Sequence, residues 1–79
     1  MRMTQSVLSA KTQILNNMLS LEPGGRYYVG YENGGSHLFK EAGSGRYTIL
    51  YGATKNDVAN VLDSVIKIIE REELSRKGE

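Results

Sequence analysis

RYYVGYENGGSHLFKEAGSGRYTILY, residues 26–51, decides the fold. It holds all five tyrosines, the only phenylalanine and the only histidine, and eight of the nine glycines lie in it or at its edges. Asn-Gly between alternating residues is the strongest short hairpin signal, because both central residues of the turn need positive φ. A two-residue turn centred on Asn33-Gly34 sets Tyr28 against Phe39, Val29 against Leu38 and Gly30 against His37. Gly43-Ser44 supplies a second turn. It sets Glu41 against Arg46, Phe39 against Thr48, Leu38 against Ile49 and His37 against Leu50. The two registers are chosen independently and they agree. Val29, Leu38 and Ile49 fall in one row, flanked by Tyr27, Tyr31, Tyr47 and Tyr51, and a one-residue slip would scatter them over both faces. Glu41 opposite Arg46 predicts a favourable cross-strand charge pair.

The other face of this sheet carries Tyr28, Gly30, His37, Phe39, Thr48 and Leu50. A solvated face would show Lys, Glu, Thr and Ser. Here two aromatic rings and a leucine lie close together, and Gly30 leaves a hollow opposite His37. With Arg46 nearby, this spare face is the expected surface for a partner or ligand.

Outward from the strands the chain reads as helix. Thr4 to Leu21 shows Val7, Leu8, Ile14, Leu15, Met18 and Leu19 at helical spacing, with Thr4 or Ser6 as cap. Its polar side is Ser9, Thr12, Gln13, Asn16, Asn17 and Ser20. Lys11 falls in the apolar arc, its stem along the core and its ammonium reaching out; the alternative is a contact to an acidic partner. Glu22-Pro23-Gly24-Gly25 stops this helix as a plain turn, since no GK[ST] ending follows the glycines. The second helix runs from Thr54 to about Leu74. Thr54 and Asp57 resemble a capping box with Asp in place of Glu. Val58, Val61, Leu62, Val65, Ile68 and Ile69 form its stripe. Ala59 and Ile66 widen that stripe beyond the roughly 100° one packing surface requires, and they mark an oligomer interface, the alternative route being back-to-back sheets through Tyr28 and Phe39. Asp63 and Lys67 are spaced for an i,i+4 pair on the wet side. The reading is a single α+β domain over 1–79, a three-stranded antiparallel meander flanked by an N-terminal and a C-terminal helix, with 1–3 and 75–79 frayed.

Composition narrows the function. The chain has 79 residues, no cysteine, one histidine, and ten Lys and Arg against nine Asp and Glu. A chain this short buries only about 60% of its unfolded surface, so its stability is marginal. Disulfides are excluded, and one histidine makes a poor zinc site. Oligomerisation, as a homodimer or higher symmetric assembly, is the remaining supplement. A net charge of only +1 argues against nucleic acid and anionic membranes. No stretch approaches a signal peptide or a membrane span, which points to a cytoplasmic protein. His37 has Glu32 and Tyr28 near it on one face, but no Ser or Cys nucleophile, so no enzyme and no cofactor are expected.

YYVGYENGGSHLF, then RYTILYGATKNDVANVLDSVI, resembles a pattern in small phage and prophage accessory proteins. In these, Tyr-rich strands around an Asn-Gly turn precede a Thr/Ser-Lys-x-Asp/Glu-Val helix start. The resemblance implies a non-enzymatic protein that binds a host protein, often one of the host's machinery or defence components, in the host cytoplasm. It brings no catalytic residues. The alternatives from the residues themselves are a nucleotide-signal binder, with Tyr28, His37 and Phe39 stacking a base and Arg46 meeting a phosphate, and a weak nucleic-acid-binding module.

Overall fold

Thr4 starts the first helix: its hydroxyl accepts from the Val7 N–H at 3.2 Å, so one orphan donor of the first turn is satisfied. In the computed structural model, which describes residues 3–77, this helix is α1 (Gln5–Met18). It is followed by β1 (Tyr27–Glu32), β2 (Gly35–Ala42), β3 (Gly45–Ala53) and α2 (Lys55–Lys77). The strands form one antiparallel sheet in the order β1-β2-β3. The architecture is therefore the αβββα expected from the sequence.

α1 ends earlier than the proline predicts. Leu21 N–H donates to Asn16 O and Ser20 N–H to Asn17 O, the two bonds of a Schellman cap, with Ser20 at φ 53°. α2 ends later, continuing through Lys77. Residues 1, 2, 78 and 79, on which part of the expected fraying falls, lie outside the described residues. The α2 start is the expected capping box: Asp57 N–H donates to Thr54 Oγ1 and Thr54 N–H to Asp57 Oδ2.

The first hairpin has the predicted register throughout, with Asn33 at φ 53° and Gly34 at φ 76° as a type I′ turn requires. The second has it from Ala42–Gly45 to Phe39–Thr48 and then departs. Leu38 faces Leu50, not Ile49, and Ser36 faces Ala53, not Tyr51. β3 spends two more residues than β2 over this span, so it bulges twice. The shift exchanges the faces: Leu50 packs with the core, while Ile49 is 45% exposed.

Both helices cover the face of Val29, Leu38 and Leu50. Leu8 and Leu15 of α1 meet Val58, Ala59 and Leu62 of α2 over Leu38. Thr12 joins this interior instead of the wet side, its hydroxyl donating to Leu8 O. Lys11 does have an acidic partner, but within the chain: its Nζ lies 2.7 Å from Asp63 Oδ1 on α2. Asp63 is thus engaged across the helix pair and not by Lys67.

Candidate functional site

The back of the sheet is a second, smaller core and not a free surface. Phe39 and His37 are each 1% exposed. The Phe39 ring lies 5.2 Å from the Tyr28 ring and 5.9 Å from His37, centroid to centroid, and the Arg46 guanidinium sits 4.0 Å above it. Arg46 also donates to the Tyr28 hydroxyl at 3.3 Å; that bond, before any other influence, raises the Arg46 pKa above its usual value. The hollow expected at Gly30 is filled by Phe39: a Cβ there would lie 2.8 Å from Phe39 Cε2. So Tyr28, Gly30, His37, Phe39 and Arg46 do come together, but around each other. Leu50 is on the opposite face. Tyr51, expected beside Val29, lies here instead, stacked on His37 at 4.1 Å.

His37 holds the bulge in place. Gly52, at φ 68°, donates its N–H to His37 Nδ1 at 2.8 Å. Nε2 lies 2.8 Å from Glu32 O, a carbonyl that can only accept, so Nε2 carries the hydrogen. Both ring nitrogens are spent on backbone, which leaves none for proton transfer to a substrate or for a metal. Among the described residues no three His, Cys, Asp or Glu side chains gather as a metal site.

Glu41 faces Arg46 in register, yet the predicted charge pair does not form. Its Oε1 accepts from Gly24 N–H and Arg26 N–H, both at 3.2 Å. The glycine loop's anion-binding amides are therefore filled by a carboxylate of the same chain.

Open concave surfaces lie elsewhere: a shallow recess of about 490 Å³ between the first turn and the start of α2, and a groove of about 320 Å³ between α1 and the outer edge of β1. One wall of the groove is Gln5, Ser9, Thr12, Gln13 and Asn16, a polar stripe at helical spacing; the other is Tyr27, Tyr28, Val29 and Tyr31. No lining residue is charged at neutral pH. The Tyr31 phenol, neutral at this pH in any case, is pushed further above its usual pKa by burial. At one end Asn16 grips β1 as a neighbouring strand would: Tyr27 N–H donates to Asn16 Oδ1 at 2.8 Å, and Asn16 Nδ2 donates to Tyr27 O at 3.0 Å. In the sequence Ser9, Thr12, Gln13 and Asn16 read only as the polar side of the helix. The available signal was the recurrence of amides and hydroxyls at positions 5, 9, 13 and 16.

The predicted oligomer residues are drawn inward. Ala59 is 2% exposed in the core, and Ile66 packs against it. The apolar side chains α2 does expose are Ile68 and Leu74. Among the described residues no helix is long and apolar enough to cross a membrane. Compared with protein-family models, curated proteins and solved structures, the chain matches none.

Proposed function

We propose that the protein is a non-catalytic binding protein that acts by occupying another protein, in the manner of the phage accessory proteins its sequence resembles. The observation that carries this reading is the uncharged groove between α1 and β1, a recess lined by hydroxyls, amides and apolar groups, with no carboxylate, imidazole, amine or thiol among its lining side chains. The nucleotide reading has less support, because the faces of Phe39 and His37 are already covered by Arg46 and Tyr51. Affinity capture from bacterial lysate with the folded protein tests the proposal. One partner in near-stoichiometric yield is expected, and Gln13→Trp, which fills the groove from an exposed position, should abolish it. Capture of nothing above background would count against the reading.

The proposal includes a homodimer. Its surface is the outer side of α2, where Ile68 and Leu74 lie among Lys67, Glu70 and Arg71. Mixed charge around an apolar strip suits antiparallel pairing with a second copy, since Glu70 then meets a basic residue of its twin. Light scattering at micromolar concentration should give twice the chain mass, and Ile68→Glu should halve it. A wild-type mass that stays monomeric as concentration rises would sink this part.

A further inference from the structure

We infer that the groove takes an extended, uncharged peptide segment, added as a fourth strand beside β1. This rests on the binding-protein reading and specifies how the partner is held.

The backbone geometry sets the mode. Glu41 N–H donates to Arg26 O, so Arg26 turns its main chain toward β2. Tyr27 turns the other way, since both its groups are bonded to Asn16. With the period of two in a strand, Val29 and Tyr31 also point their N–H and C=O groups outward, into the groove. These are the unpaired rungs of a regular strand edge. β1 has no bulge along its register, so a new strand can follow it. The other sheet edge is different: the two bulges of β3 twist it away from continued pairing, a common protection for exposed edges.

The walls set the chemistry. Main-chain bonds at Val29 and Tyr31 supply about four rungs, which hold an extended segment whatever its sequence. Gln13 and Ser9 stand opposite, on the side where Asn16 already shows how a side-chain amide on α1 pairs with main chain. A charged side chain entering here would lose hydration and find no counter-charge. The occupant is therefore neutral where its side chains face the groove. A second copy's β1 would bring its own α1 into the same space, so the occupant is a lone segment.

The test is panning a displayed library of random seven-residue peptides on the folded full chain. Enriched peptides should be uncharged at alternate positions, and their affinity should fall at least tenfold on both Gln13→Trp and Ser9→Trp. In a synthetic copy of an enriched peptide, N-methylation of alternate amides should cost a similar factor, while methylation of the intervening amides costs little. Amide exchange at Val29 and Tyr31 should slow on binding. Enriched peptides that ignore both groove-filling variants, or bind equally well after either methylation, would overturn strand addition while leaving a binding protein. No enrichment would overturn strand addition too; with no captured protein as well, the binding-protein reading falls with it.

Discussion

Phe39→Ala is expected to lower the unfolding free energy by about 3–5 kcal/mol, the usual cost of removing a fully buried aromatic ring. A 79-residue domain has a total stability on the order of 4–12 kcal/mol, so this one change removes a large share of it. The size follows from what surrounds the ring. Tyr28 and His37 pack against it, Arg46 covers it, and Gly30 has no side chain so that it fits. Its loss leaves a cavity that the main-chain bonds of the sheet prevent from closing. Urea denaturation should show a lower midpoint with an unchanged slope. If Phe39 served a partner instead, the substitution would weaken binding and leave the midpoint near its original value. A shift below about 1 kcal/mol would therefore return the ring to the binding surface and refute its place as an interior residue.

The contrast between the two hairpins explains what the sequence makes legible. Asn33-Gly34 admits one turn type, and that turn dictates every pair from Glu32–Gly35 to Tyr27–Lys40. Gly43-Ser44 does the same as far as Phe39–Thr48. Beyond it lies Ile49-Leu50, two apolar residues side by side, and either one satisfies the core position opposite Leu38. Alternation cannot choose between them. The only cue to the irregularity is Gly52, since a glycine inside a strand often marks a bulge. Missing it put Ile49 in the core, Leu50 on the back face and Tyr51 beside Val29. The apparent vacancy on the back face followed from the same slip, because Tyr51 is one of the groups that cover His37. The groove was hidden for a different reason. A polar stripe on a helix reads the same whether it faces water or a strand edge, and Asn16 distinguishes the two only once Tyr27 is beside it.

His37→Phe isolates the hydrogen bonds of the histidine from its packing. Phenylalanine keeps a flat ring to stack against Tyr51, but it can neither accept from Gly52 N–H nor donate to Glu32 O. A backbone group orphaned in the interior costs about 1–3 kcal/mol, but Glu32 and Gly52 are exposed and water can replace part of each bond, so the pair together should cost about 1–3 kcal/mol. The damage should also be local before it is global. Gly52 is held at positive φ where β3 bulges, and close by, a Cβ on Gly35 would meet the Gly52 Cα at 3.1 Å and the His37 Cε1 at 3.3 Å. Without the imidazole only the exposed bond from Asn33 Nδ2 to the Tyr51 hydroxyl, at 3.3 Å, joins the end of β1 to that bulge, and the Gly52 amide should exchange with solvent well before Leu38 or Phe39. Hydrogen exchange followed by NMR reads this directly, and chemical denaturation gives the total loss. The expected variant folds with a weaker midpoint and an unprotected Gly52. Unchanged stability with Gly52 still protected would mean the bulge is held by β3 alone, and the histidine would then be free for another role.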